Sequence, residues 1–420
     1  MDAEVLVVGA GLAGLRCAAE LHGAGVDVRV LERADAVGGR VRTDVVDGYR
    51  CDRGFQLLNP AYPAVRRYVD LPALALRSFG AGAIVRREDG PVVVADPRRE
   101  PRLLARTLRS GLLAPRELVA LARWLGPTLA RPHAHAGSGP GAGPDETLAA
   151  SLTAAGITGP LRRELLDPFL AGVLADHGGG TSAAFARLLL RSFALGTPGV
   201  PAAGMQALPD QLAAPLGARI ATGVDVDDVR EEAGGVRVRA GEGTWRAEAV
   251  VVAVPGEGVS ALTPLPPVAT KALTTWWFDC DGPPSPLPLL VLDGRGRGPV
   301  QNALDLTAAA PSYAPAGRRL VQATTLTPAA TTGEAEVRAH LADLYGTATD
   351  TWRLVVRHDV PHALPAQPPP LDARRPVALT DRLFVAGDHR DTGSIQGALV
   401  SGTRAARAVL RRLTGTPTGR

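Results

Sequence analysis

Lysine is nearly absent from this chain. Lys271 is the single one, and arginine supplies the rest of the 46 basic residues. Alongside the richness in Ala, Gly and Pro, that imbalance reads as codon composition rather than function. Acidic residues number 42, so the net charge is +4. This surplus is too small to imply a nucleic-acid partner. Cysteine is scarce as well. Cys17, Cys51 and Cys280 lack the spacing of a metal site or a disulfide framework and suit a reducing cytoplasm. No apolar run reaches the roughly 18 residues that span a bilayer. No signal peptide is expected ahead of the first strand, so a cytoplasmic location is the expectation.

What the chain does have is length and a strong beginning. Its 420 residues, 45% of them hydrophobic, suffice for two domains. Val5-Leu6-Val7-Val8 has strand character and runs into Gly9-Ala10-Gly11-Leu12-Ala13-Gly14. A helical pattern follows from Leu12 to Leu21, then a second strand from Val26 to Leu31 that ends on Glu32. Gly9 allows the turn, Gly11 lets the backbone approach a pyrophosphate, and Gly14 lets the helix pack on the sheet. The helix N-terminus offers amides and a positive dipole end to the phosphates. Glu32 is placed to accept from a ribose diol. An ordinary βαβ turn has no need of that acid, so a dinucleotide is expected.

The next stretch, Arg33-Ala34-Asp35-Ala36-Val37-Gly38-Gly39-Arg40, resembles the second FAD motif of the flavin amine oxidase superfamily. That superfamily includes monoamine oxidases, plant-type phytoene and ζ-carotene desaturases and protoporphyrinogen oxidases. Paired glycines bring the backbone to the pyrophosphate from its other side, and arginine offers an anion a planar fork of donors. Further segments resemble the same family. Asp52-Arg53-Gly54-Phe55-Gln56-Leu57 is similar to a segment that passes near the flavin ring. Val224 matches the return to the nucleotide domain near the adenine. Leu383-Phe384-Val385-Ala386-Gly387-Asp388 resembles the C-terminal flavin motif, whose acid binds the ribityl or phosphate region. Gly393-Ser394-Ile395-Gln396-Gly397-Ala398 is similar to the start of the last helix, with Ser394, Ile395, Gln396 and Ala398 beside the flavin. A helix N-terminus there favours the negative charge of a reduced ring.

The resemblance implies an α/β fold of glutathione reductase/amine oxidase type. A Rossmann-like FAD-binding domain would comprise 1–75, 200–258 and 376–420, and an α+β substrate-binding domain 76–199 and 259–375. Helices are expected over 101–131 (two), 147–155 and 183–195, and short strands over 224–254. Residues 132–144 have no periodicity and should form a loop, and His133 and His135 there have no third ligand for a metal. The Arg/Leu alternation of 101–131 fits either an interfacial helix pair, touching a membrane peripherally, or a solvated cap.

For chemistry, the resemblance implies hydride transfer from a C–N or C–C bond of a small organic substrate, lipophilic in some relatives, to flavin N5. Reoxidation would follow by O₂ or a quinone. Lys271 is the candidate for the flavin-proximal lysine of amine oxidases, with a surface lysine as the other reading. Trp276, Trp277, Phe278 and His389 are candidates for the substrate cavity, with core packing as the alternative for the aromatics. No aromatic lies between residues 385 and 402, a departure from the monoamine-oxidase cage. No cysteine lies there either, so FAD is expected to be non-covalent. Desaturase-like and porphyrinogen-oxidase-like dehydrogenases remain open, as does a binding protein like the GDP-dissociation inhibitors.

Overall fold

Val5–Val8 lies at the centre of a five-stranded parallel sheet. Its neighbours are Ala249–Val252 and Val28–Glu32, and the outer strands are Leu383–Val385 and Ile220–Thr222. The central strands are runs of Val, Leu and Ala with no alternation, because both faces of a parallel sheet are covered. The computed structural model describes residues 1–130, 145–326 and 331–415. The expected loop over 132–144, with His133 and His135, lies outside the described residues.

The short strands expected over 224–254 are an antiparallel meander, Val226–Glu232, Gly235–Ala240 and Gly243–Ala247. A left-handed Gly234 (φ +89°) makes the first turn. The chain then returns to the parallel sheet at Ala249. A second, seven-stranded sheet has the order Arg353–Pro365, Thr270–Cys280, Arg319–Thr325, Val300–Asp305, Leu290–Asp293, Gly82–Arg87 and Gly90–Ala95. All its pairings are antiparallel except that of Leu290–Asp293 with Gly82–Arg87.

Helices gather beside that sheet. The expected pair over 101–131 is broken at its start: a 3₁₀ turn at Pro101–Leu103 leads into Leu104–Leu108, and Gly111 (φ +72°) separates it from Pro115–Ala130. Leu104, Leu108, Leu118, Val119 and Leu129 are exposed on this pair. Leu148–Ala154 starts on a Thr147 cap, and Ala183–Leu195 runs from a Ser182 cap to Gly196. Among the described residues no helix is long and apolar enough to cross a membrane.

The last helix, Ile395–Leu413, lies against the first, Leu12–Gly23. Arg16 donates to Thr403 Oγ1 at 3.1 Å across the contact. At Gly402 a Cβ would collide with the Ala13 carbonyl, so the two backbones touch there. Gly402→Val is expected to destabilise the protein by about 1–3 kcal/mol in urea unfolding, because the wedge meets backbone that cannot yield. Gly23→Ala, where no atom lies within 4 Å of the added methyl, should be near neutral.

Candidate active site

The N-terminal glycine loop is built for a ligand. At Gly14 a Cβ would strike the Gly9 carbonyl, while at Gly11 it would meet nothing within 4 Å. Gly14 therefore serves packing, and Gly11 leaves open space above the helix start. Leu12 and Ala13 form the first turn, and no side chain caps it. Its amides remain available to an anion. The second glycine pair arrives at the same place: Gly38 N donates to the Ala10 carbonyl at 2.9 Å, and Gly39 packs on Gly11. Glu32 is buried. Its carboxylate accepts from the Ala10 amide at 2.6 Å and the Ala34 amide at 2.9 Å, with lone pairs to spare for a diol. Val224 N donates to the Glu32 carbonyl at 2.9 Å, beside that acid. Arg33 is exposed next to it.

Arg40 reaches across the molecule. Its Nη2 meets Asp388 Oδ1 at 2.6 Å, and its Nη1 donates to the Ala363 carbonyl at 3.0 Å. The Gln56 amide donates to the Arg40 carbonyl at 2.5 Å. Asp388 is buried, and the preceding Gly387 donates its amide to Ser401 Oγ on the last helix at 3.0 Å. Ser394 caps that helix by accepting from Gly397 N at 3.1 Å. Gln396 turns its side chain away, accepting from Ala64 N at 2.8 Å, whereas Ile395 and Ala398 lie in the first turn against the core. Phe55 packs on Phe79.

His389 is 2% exposed, its ring folded under Gly387, and neither ring nitrogen has a partner among the described residues. Burial pushes its imidazole down to about 4, so it is neutral at pH 7.

The three aromatics divide between two faces. Trp276 and Phe278 point to the side covered by Glu334–Tyr345, packing with Val337, Leu341 and Leu344. Trp276 Nε1 donates to Thr325 Oγ1 at 3.2 Å. Only Trp277 shares the other face with Lys271, Leu273 and Thr275, alternate residues of one strand. Across the ladder, Trp277 faces Gln322, Thr275 faces Thr324, and Thr324 in turn faces Asn302. Thr275, Trp277, Gln322 and Asn302 are all 0–4% exposed. Thr275 Oγ1, Trp277 Nε1, Gln322 Oε1 and Asn302 Oδ1 have no hydrogen-bond partner among the described residues. Buried polar atoms are nearly always paired, so these four are exceptions, but almost no accessible surface lies beside them, and Trp277 and Leu304 of this face belong to the main hydrophobic cluster. Nothing in the local sequence pattern reveals Gln322 or Asn302, since only the ladder register brings them beside Trp277.

Two threads tie this face to the glycine motifs. Gly54 lies against Leu273. Gln367 takes the Gly393 amide at 2.9 Å through its side chain and the Ser182 amide at 2.9 Å through its carbonyl. Beside Ser182, Thr181 Oγ1 contacts Lys271 Nζ at 2.7 Å, and Asp176 Oδ2 meets the same nitrogen at 2.8 Å. A cavity of about 660 Å³, lined by Arg163, Asp167, His177, Asp293 and Arg295 among others, includes in its lining none of Thr275, Trp277, Gln322 and Asn302 and none of the glycine motifs.

The flavin-containing amine oxidoreductase family matches residues 12–410. The chain belongs to that family. That family is one of flavin-containing oxidoreductases. The chain is 44% identical over 78 residues to an L-amino-acid oxidase of Bungarus fasciatus, a match covering 18% of this chain and 15% of that protein. An oxidoreductase from Methanosarcina mazei superposes with a TM-score of 0.75 at 17% identity, covering 96% of this chain and 99% of the other. A putrescine oxidase bound to putrescine superposes with a TM-score of 0.72 at 20% identity, covering 98% and 99%. At these identities the two structures share the fold.

The residues present fit a flavin dinucleotide: an open glycine loop, an uncapped helix start, an acid with spare lone pairs and a second glycine pair on the opposite side. Burial alone would raise the Asp176 carboxyl, but the hydrogen bonds from Lys271 and Thr181 outweigh it and hold the group at about 2. Folding therefore gains stability from its ionised form above the ordinary carboxylate range, and this gain is lost as pH falls from about 4 towards 2. Asp176→Asn is expected to cost about 2 kcal/mol at neutral pH and to lack that acid-side segment of the stability curve, read by denaturant unfolding from pH 7 to pH 2.

Proposed function

We propose that this flavoenzyme oxidises the C–N bond of a small, polar amine. The observation that carries the reading is Lys271, whose ammonium is held by Thr181 and Asp176 on the strand that meets Gly54 through Leu273. A charged pair at the edge of a site is solvated by a polar substrate and left bare by a polyene.

In this reading Gly11, Leu12, Ala13, Gly38 and Gly39 receive the pyrophosphate, Glu32 and Val224 the adenosine half. Arg40, Asp388 and the start of the last helix at Ser394–Ala398 hold the rest. Bound FAD supplies the acceptor for the substrate's hydride. The protein's own part is orientation: the sheet face aligns the substrate's C–H bond, and the aliphatic and aromatic surroundings exclude water. Lys271 serves as the flavin-proximal lysine, through the side of the ammonium that Asp176 and Thr181 leave open.

Under anaerobic conditions putrescine, cyclohexylamine and L-amino acids form one panel, and phytoene and porphyrinogens another. Bleaching of the flavin by an amine is expected, at a lower rate in Lys271→Met. Bleaching by a polyene or porphyrinogen and by no amine overturns the reading. Arg40→Ala removes both its bonds to Asp388 and Ala363. It should weaken FAD retention ten- to a hundredfold, about 1.4–2.7 kcal/mol. The three cysteines are buried and outside the flavin segments, and burial raises the thiols, that of Cys17 to about 12. Acid precipitation of the wild type should accordingly leave the yellow colour in the supernatant.

A further inference from the structure

Lys271 does not stand alone on its sheet face. Lys271 Nζ donates to Thr181 Oγ1 at 2.7 Å and forms an ion pair with Asp176 Oδ2 at 2.8 Å. Those two oxygens are hydrogen-bonded to each other and therefore lie on one side of the ammonium, whose other side has no partner among the described residues. Side-chain exposure is 21% for Lys271 and 13% for Asp176, so water screens the pair little.

The loop that carries Asp176 is shaped around this carboxylate. Ala175 ends the Asp167–Leu174 helix in the left-handed region (φ +48°), a conformation costly for a residue with a Cβ. It turns Asp176 back into the molecule. Asp176 Oδ1 then accepts from Gly178 N at 3.2 Å, and Oδ2 accepts from both Thr181 N, at 2.8 Å, and Thr181 Oγ1. Thr181 is therefore set by Asp176 before it meets the lysine. One residue further, Ser182 reaches Gln367 and through it Gly393, at the start of the last helix.

We propose that Asp176 is a positioning residue for the flavin: with Thr181 it clamps Lys271 so that the open side of the ammonium faces the ring, and its negative charge offsets the ammonium. This rests on the reading that Lys271 lies beside the bound flavin. It assigns a second function to an acid that neither strand nor flavin motif contains. A bare ammonium beside the ring would favour the reduced, more negative form and raise the reduction potential. With Asp176 in place the lysine orients without adding its full charge.

The lone ε-amine makes the clamp directly measurable. Acetylation by an N-hydroxysuccinimide ester, read by mass spectrometry, compares Lys271 with the N-terminal amine in the same molecule. Asp176→Asn should be labelled several-fold faster at Lys271 than the wild type, and Asp176→Glu should restore much of the protection. An anaerobic dye-coupled titration then reads the flavin's midpoint potential without any substrate. Asp176→Asn should shift it upwards, Lys271→Met downwards, and the double variant should lie near the wild type. Circular dichroism confirms that each variant is folded.

Unchanged labelling in Asp176→Asn overturns the clamp. Faster labelling with an unmoved or lowered potential overturns the action on the flavin. If Lys271→Met leaves the potential unmoved, the placement of Lys271 beside the ring fails, and the inference falls with it. A folded protein that takes up no FAD refutes the proposed function itself, and labelling still decides whether the clamp exists.

Discussion

The ion pair between Arg40 and Asp388 joins residues 348 positions apart, and the arrangement of the cofactor side depends on it. One guanidinium holds three segments together. It contacts the carboxylate that precedes the last helix and the carbonyl of Ala363 on the Arg353–Pro365 strand. Its own main chain follows the second glycine pair. The planar fork of arginine suits this task, because two nitrogens are engaged in different directions at once. Lysine offers a point charge and no such geometry.

The second sheet depends on that junction for its place. Arg353–Pro365 is its edge strand, and Thr270–Cys280 pairs with it. Lys271 lies opposite Leu364, one residue from the carbonyl that Arg40 holds. The two sheets also share one hydrophobic cluster, to which Trp277, Leu304 and Leu320 of the second belong together with Val5 and Val7 of the first.

Much of the nucleotide half was legible in the sequence, for a local reason. Strand, glycine turn, helix and acid follow one another within the first 32 residues, and each is set by its own neighbours. The Ala183–Leu195 helix was equally plain, since Ser182 and Gly196 bound its apolar pattern. The two helices expected over 101–131 were legible too, since Pro101 and Pro115 stand at their starts; the 3₁₀ form of the first turn was not. The period of two along a strand separates Trp277 from Trp276 and Phe278 but does not say which face is which. That follows from the Glu334–Tyr345 helix, which covers one side. Gln322, Asn302, Thr181 and Asp176 gave no signal, because their place comes from ladder register and from a loop at least 90 positions before Lys271.

The contact of the last helix with the first has a consequence for the order in which the molecule is made. A ribosome releases the glycine loop first and the Ile395–Leu413 helix some 380 residues later. Until then the Leu12–Gly23 helix lacks the partner that meets it at Gly402, the carboxylate of Asp388 is missing, and an outer strand of the parallel sheet has not been synthesised. Such distant pairings form slowly and late. The contacts of the first helix with the last are therefore completed only after residues 395–413 have emerged.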